Sequence, residues 1–311
     1  MSTAVPVSTV RYQIEFWIFR ALSWILVVLP ERAARALCSV VGWVVGVVLR
    51  IRRVDTERHL QIAFPERDSA WRRRVARSSY MHLAREAAMT VRLSRMPPEE
   101  IVRRTEVVGF DALREAAAEG RGAIVISGHL GNWEVAAAAV AARGVPMDVA
   151  AHLQKNPLFY RHMAELRDRF GLTVIVKNEA FRLVPQALAA GRVVGLVSDQ
   201  NIGRRGVFVY FFGRAAATVK GPALFALRTG APVFLGVAVR KPGYPSRYRV
   251  IIERVPVGEG AATADAIRDL TQRHVSKLEA RIRETPNQYF WQHRRWKTRP
   301  KSVAETLLEP H

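Results

Sequence analysis

The sequence predicts an α/β protein built on a mostly parallel central sheet, preceded by an apolar helical segment. Three observations carry that expectation. Short β-branched runs alternate with Ala-rich helical stretches through the middle of the chain, and those runs are continuously apolar rather than alternating. The opening residues, ahead of any such alternation, are the most apolar part of the molecule.

Residues 12–29 (YQIEFWIFRALSWILVVL) and 33–49, parted by Pro30, read as two apolar helices. Neither is a clean spanning helix of about 20 uncharged residues. Glu15 and Arg20 interrupt the first, and the second has only a short charge-free stretch before Arg50. Two readings stand: a pair of core helices, or a membrane-attached segment. In the second, Trp17, Trp24 and Trp43 lie at interfacial depth while Arg11, Arg50, Arg52 and Arg53 face headgroups. The crowding of aromatics beside arginine favours attachment, so residues 1–54 are expected to anchor the chain. The nearly uncharged start and the lack of a small-residue cleavage site argue against a cleaved signal peptide.

From 55 to 103 the pattern is helical and charged, broken at Phe64-Pro65 and at Met96-Pro97-Pro98. Strands are then expected at 123–127, 145–151, 172–176, 193–198, 233–239 and 248–255. Helices are expected at 132–143, 157–170, 180–190, 218–229 and 264–284, with an aromatic-basic end after them. No internal repeat or low-complexity linker divides the rest, so residues 55–311 read as one domain.

Composition narrows the function classes. The chain has 311 residues, 49% of them hydrophobic and 24% charged, which describes a globular protein. Its one cysteine, Cys38, excludes an intramolecular disulfide and a cysteine-based zinc site, and suits a reducing, cytoplasm-facing compartment. A net charge of +21 with a pI near 11.2 calls for an anionic partner: nucleic acid, anionic lipid or an acidic carrier protein. No zinc finger, RNA-recognition signature or basic zipper accompanies the charge. No Walker loop or dinucleotide fingerprint appears, and no metal or redox cofactor is implied.

The stretch AIVISGHLGNWEVAAAAV is the most informative. It reads as a buried strand ending near Gly128, a turn, and a helix capped by Asn132. His129 then lies in the turn and Glu134 in the first helical turn. Residues five apart on a continuous helix diverge by about 140°, but Leu-Gly-Asn lets the chain fold back, with Gly131 supplying the freedom. A helix N-terminus keeps Glu134 ionised, and a carboxylate on one imidazole nitrogen makes the other a better base. With no Ser or Cys nucleophile beside it, that base is suited to deprotonate a hydroxyl that attacks an activated carbonyl. Alternatively, His129 merely bonds to the backbone of a capped turn.

Several spaced segments resemble the lipid A biosynthesis (lauroyl/myristoyl) acyltransferase family, within the glycerolipid (lysophospholipid) acyltransferase-like superfamily. SGHLGNWE is similar to its H-x-x-x-x-D/E motif and LQIAFPE at 60–66 to its upstream marker. VSDQN at 197–201, VFVYFFGRAAATVKGPALFALRTGAP at 207–232 and NQYFWQHRRWKTRP at 287–300 resemble its later blocks. One departure is His59, where the family often has Asn ahead of this marker. The resemblance implies a glycerolipid-acyltransferase-like α/β sandwich with a membrane-associated N-terminal helix, and a catalytic domain over 55–311. It implies an enzyme of lipopolysaccharide assembly that transfers a fatty acyl chain from acyl carrier protein or coenzyme A to a lipid hydroxyl. The acceptor implied is a lipid A precursor, with glycosylated phosphatidylinositol or a lysophospholipid as alternatives. The site would sit at the inner membrane, on its cytoplasmic face. The competing class is a non-catalytic binder of anionic membrane or nucleic acid, supported only by charge; on the enzyme reading no nucleic acid is expected.

His129 and Glu134 are the catalytic candidates, with Glu134 orienting His129. Arg167 occupies a position similar to an arginine of the family's active site, where a guanidinium would neutralise an oxyanion or hold a phosphate; the alternative is helical pairing with Glu165 or Asp168. Asp199 and Gln200 end a strand on the side of His129 and are expected to touch the sugar or acceptor hydroxyl. Gly131 and Asn132 join the substrate-contacting candidates. Lys155, followed by Asn156, is a candidate for headgroup phosphate. Phe212 and Gly213, after Phe211, line an acyl channel or pack the sheet edge. His293 reads as a surface residue, and Arg294–Lys297 as a headgroup-binding or solvated run.

Overall fold

A computed structural model describes residues 9–258 and 260–301. The N-terminal third supplies α1 (Val10–Val28), α2 (Glu31–Trp43, continued by a π turn over Val44–Val48), α3 (Arg53–Ala63), α4 (Ser69–Leu93) and α5 (Pro98–Arg104). Then come β1 (Thr105–Val108), α6 (Phe110–Ala116), β2 (Ala123–Ser127), α7 (Trp133–Ala141), β3 (Met147–Ala151), α8 (Pro157–Asp168) and β4 (Leu172–Val176). The chain continues through α9 (Ala180–Ala189), β5 (Val193–Val197), β6 (Val207–Phe211), β7 (Arg214–Thr218) and α10 (Gly221–Thr229), and closes with β8 (Val233–Arg240), β9 (Tyr248–Val255) and α11 (Ala264–Glu284).

Seven strands form one sheet in the order β1-β9-β8-β2-β5-β3-β4. Every neighbouring pair is parallel except β8 with β9. The reason β2 reads as an unbroken apolar run is visible in its surroundings, because side chains leave a strand on alternate faces. Ile124 and Ile126 enter a core with Val184, Leu188, Leu278 and Ile282 from α9 and α11. Ala123 and Val125 enter a second core with Leu93, Leu113, Val135 and Val140 from α4, α6 and α7. Polar caps start the helices around it: Asp68 accepts from Trp71 N–H at 2.6 Å, Asn132 from Val135 and Asn156 from Leu158, each at 3.1 Å.

The mixed α/β architecture and mostly parallel sheet agree with the sequence pattern, but two sets of strands were not legible in it. β1 is a four-residue edge strand beside β9, too short to carry a period. Residues 207–218 form a separate antiparallel hairpin whose two-residue turn, Phe212-Gly213, has φ of 51° and 69°. Positive φ at both central residues is the turn geometry that matches the strand twist. The alanines of β7 disguise it, since Ala favours helices when read alone.

Among the described residues no single helix is long and apolar enough to cross a membrane; Glu31–Val48 and Arg53–Ala63 pass that test only as a pair bent by 90°. The N-terminal helices are tied to the body by specific contacts. Arg92 on α4 donates to Leu26 O at 2.5 Å and Leu29 O at 2.9 Å, satisfying the free carbonyls that end α1. α2 lies directly on α4 because Gly42 carries no side chain: a Cβ there would stand 2.5 Å from the Tyr80 carbonyl oxygen. Gly42→Leu is therefore expected to cost about 1–3 kcal/mol by overpacking, read as a fall in chemical-denaturation stability, while Ala36→Ser on the exposed side of the same helix stays within about 1 kcal/mol.

Candidate active site

Strands β2 and β5 pair in parallel with Ser127 opposite Val197, and Ser198 N–H donates to Ser127 O at 2.9 Å. Two residues beyond that pair on each chain, His129 and Asp199 meet. Asp199 Oδ1 stands 2.6 Å from His129 Nδ1, and its Oδ2 accepts the His129 backbone N–H at 2.8 Å. With a carboxylate on Nδ1, the proton sits there and Nε2 carries the lone pair. The Gln200 amide nitrogen lies 3.2 Å from Nε2 and donates to it.

Asp199 is 4% exposed. Burial alone would raise its carboxyl, but the imidazole charge, both His129 hydrogen bonds and buried Arg295 hold it at about 2. For His129, burial lowers the pKa while the charge and hydrogen bond of Asp199 raise it; the net direction is upward. Tyr289 also bonds Asp199, and burial with that negative charge pushes its phenol well above the usual range. A neutral tyrosine donor and an ionised carboxylate are thereby fixed under the imidazole.

The ring is held from above as well. Trp133 packs edge-on at 4.6 Å and Phe290 at 5.8 Å between centroids. Phe290 N–H donates to His129 O at 3.0 Å and Gly131 N–H to Gln288 O at 3.0 Å, so the segment after α11 runs alongside the turn. Gly131 has φ of 66°, and a Cβ on it would fall 1.8 Å from the Ala238 carbonyl oxygen of β8. His293 accepts the Asn201 N–H at 2.9 Å, and burial pushes its imidazole down to about 4, the charge of Asp199 opposing. It props the Asp199-Gln200-Asn201 loop rather than lying on the surface.

The expected pairing of Glu134 with His129 is corrected by this geometry. Glu134 starts α7 and faces α8, where Arg167 grips it with both prongs, Nη2–Oε1 at 2.6 Å and Nε–Oε2 at 3.1 Å. His129 Nδ1 belongs to Asp199, a residue 70 positions away that sheet register delivers. The acceptor-contacting role expected for Asp199 fails for the same reason: it is sealed and both oxygens end on His129. Arg167 pairs neither with Glu165 nor with Asp168, and its Nη1 bonds no described residue.

Other candidates separate. Gly131, Asn132, Trp133 and Glu134 line an apolar cavity of about 270 Å³ walled by Phe19, Leu83, Thr90, Phe159 and Leu166. Asn132 is itself buried, with its amide on Glu86 Oε2 at 3.0 Å, so it shapes the wall. A narrower cavity of about 90 Å³ runs beneath α7, past Glu134, Arg167, Gly195 and Gly236. Lys155 is exposed in the loop after β3 and bonds no described residue, while Asn156 caps α8 and reaches Tyr12 O at 2.9 Å. Phe212 and Gly213 are placed away from both cavities: Phe212 packs on Phe64 and Trp291 under Arg283, and Gly213 makes the hairpin turn. In the basic run, Arg295 and Trp296 are buried, with Arg295 donating to Ala217 O at 2.7 Å, and Arg294 pairs with Asp55 at 2.8 Å. Only Lys297 fits a free solvated cation. His59 is likewise structural, donating from Nδ1 to Trp291 O at 2.8 Å.

A histidine at a strand end with a buried carboxylate on Nδ1, followed by a turn that lines an apolar cavity, is a histidine–carboxylate arrangement suited to taking a proton from a hydroxyl. Residues 4–298 match the family model described as bacterial lipid A biosynthesis acyltransferase, and the chain belongs to that family; it is an acyltransferase. It is 28% identical to the lipid A biosynthesis palmitoleoyltransferase of Escherichia coli (strain K12) over 94% of this chain and 93% of that one. The lipid A biosynthesis lauroyltransferase of the same strain is 28% identical over 92% of each chain. A phosphatidylinositol mannoside acyltransferase of Mycolicibacterium smegmatis is 31% identical over 52% of this chain and 53% of its own.

The pair fixes a pH dependence. A general base works as the free imidazole, and Asp199 raises the His129 pKa, so activity that depends on this base is expected to be lost as pH falls through that raised value. Asp199→Asn removes the raising charge and leaves the burial that lowers it. The expected outcome is a fall in kcat of roughly 10²- to 10⁴-fold, with the acid limb of the pH–rate profile displaced to lower pH. A limb that stays in place contradicts the assignment.

Proposed function

We propose that the chain transfers a fatty acyl group from an acyl thioester, carried by acyl carrier protein or coenzyme A, to a hydroxyl of a membrane glycolipid. A lipid A precursor is the acceptor that two of the relatives' names support; the mannoside relative keeps a glycosylated phosphatidylinositol as the alternative. One observation carries the reading: buried Asp199 holds His129 by Nδ1 and leaves Nε2 to the neutral Gln200 amide, two residues before the Gly131–Glu134 stretch that lines the apolar cavity.

The acceptor hydroxyl displaces the Gln200 amide from Nε2 and gives its proton to the imidazole as its oxygen attacks the thioester carbonyl. The imidazolium that forms is stabilised by Asp199. The oxyanion is met by Arg167, whose Nε and Nη2 are committed to Glu134 while Nη1 remains free. Collapse breaks the C–S bond, and the proton passes from Nε2 to the departing thiolate. Glu134 thus positions the guanidinium rather than the base.

Membrane attachment is part of the same reading. Ile14, Trp17, Ile18, Leu22 and Trp24 on α1, and Val40, Val41 and Trp43 on α2, are exposed, and large apolar side chains exposed together mark an interaction surface. Seating that surface on the cytoplasmic face of the inner membrane brings a lipid hydroxyl to the site without lifting it into solution.

Incubating purified protein with acyl carrier protein thioester or acyl-CoA and a lipid A precursor is expected to yield an acylated lipid; His129→Ala with turnover within a few-fold of wild type would end the mechanism. The cavity makes a separate prediction. Ala87→Phe projects into it from α4, so kcat/KM for the longest accepted donor should drop roughly 10-fold or more while a donor several carbons shorter stays within about threefold. Equal losses for both donors would place the acyl chain elsewhere.

A further inference from the structure

A second site stands at the tip between α2 and α3, apart from His129. The π turn Val44–Val48 is followed by Arg50 and Arg52, both left-handed, with φ of 51° and 56°. Non-glycine residues avoid that region because Cβ crowds the following carbonyl. What holds the turn is internal: Tyr80 hydroxyl donates to Ile51 O at 2.5 Å, and Arg52 reaches Gln292 O at 3.2 Å. It presents Leu49, Ile51 and Val54 outward, 59%, 51% and 82% exposed, interleaved with exposed Arg50 and Arg52. A strained turn pinned from within so as to expose aliphatic side chains has no packing purpose in the folded chain.

Against this tip lies a cleft of about 360 Å³ lined by Arg53, Arg73, Arg74 and Arg77. Arg53 is answered by Glu57 at 2.8 Å. The other three, on the first half of α4, are exposed and bond no described residue, and no carboxylate lines the cleft. Three uncompensated guanidinia around one hollow repel one another unless an anion enters, and their planar forks match phosphate.

We propose that this tip is a docking site for an anionic lipid bilayer, with Leu49, Ile51 and Val54 among the acyl chains and a lipid phosphate held by Arg73, Arg74 and Arg77. The proposal rests on the membrane reading above and gives it a specific contact. The pairing of exposed aliphatic side chains with uncompensated arginines decides the occupant. A bilayer offers phosphates over hydrocarbon within one surface, whereas an acidic carrier protein answers the arginines and leaves the aliphatic tip in water. α4 also connects this site to the other: the helix that bears the arginines lines the apolar cavity beside His129 with Leu83, Ala87 and Val91. A lipid phosphate bound here positions the bilayer edge along the helix that walls the acyl cavity.

The test uses the full chain, the triple variant R73Q/R74Q/R77Q, and sedimentation with vesicles of phosphatidylcholine alone or mixed equally with phosphatidylglycerol. Partitioning of the variant onto mixed vesicles should fall roughly tenfold or more, with binding to pure phosphatidylcholine and transfer to detergent-dispersed acceptor unchanged. High salt should erase the wild-type preference for mixed vesicles. A variant that binds mixed vesicles like wild type overturns the site. So does one whose only defect is a raised KM for the carrier-protein donor, which would make the cleft a protein-docking surface. Wild-type protein that transfers acyl groups in detergent but binds neither vesicle overturns the membrane reading itself.

Discussion

Both oxygens of Asp199 end on one residue, His129, through its ring and its backbone N–H. That double contact requires two strand ends to stop level with each other, and the parallel register of β2 with β5 provides it. A one-residue slip would turn every side chain of the strand to the other face, forcing Ile124 and Ile126 into the core that accommodates Ala123 and Val125 and withdrawing the carboxylate from the imidazole. The apolar character that fixes the sheet therefore also fixes the base. A lone buried carboxylate would be expelled or protonated; here it stays ionised because folding supplies the imidazole and Arg295 around it.

The capped helix beside the base depends on a second buried network. Glu86 of α4 accepts from Arg240 at 3.0 Å, Tyr248 at 2.6 Å and the Asn132 amide at 3.0 Å. Arg240 bonds Ser246, which also bonds Glu31 at the start of α2, and Glu31 is closed by Arg104 at 2.7 Å. Burial would raise the Glu31 carboxyl, yet those partners hold it at about 2. Desolvating such charges offsets much of their attraction, so their value is geometric. They join the first residue of α2 to the cap of α7, and the N-terminal helices and the active turn share one rigid frame.

Periodicity made the sheet legible: β2 and α11 fall at the residues where their apolar patterns begin and end. The pattern also put His129 and the 199–200 segment at strand ends on the same side of the sheet. It misassigned the partner because sequence proximity favoured Glu134, five residues away, over a residue that only register brings close. Arg167, 33 positions from Glu134, was found by its resemblance but not paired. The run Arg294–Lys297 misled in another way. Charge in a row suggests a solvated strip, yet Arg295 turns inward to the free carbonyl of Ala217 and stacks over Phe211 at 5.3 Å. A cation buried on backbone acceptors has no signature in composition.

α1 draws these strands together. Its inward side meets the apolar cavity, where Phe19 packs on Phe159 at 4.4 Å and on His162 at 5.5 Å. Trp17 and Ile18, its chain neighbours, are 67% and 57% exposed. One helix thickness, about 10 Å with side chains, therefore separates the cavity beside the base from the surface read as membrane-facing. On the function proposed, a soluble donor and a bilayer-held acceptor meet two different constraints: the acyl chain must be buried, and the hydroxyl must not leave its lipid. A helix that is apolar on both sides answers both at once. It explains why the first run is rich in hydrophobic residues all round yet too interrupted by Glu15 and Arg20 to read as a span.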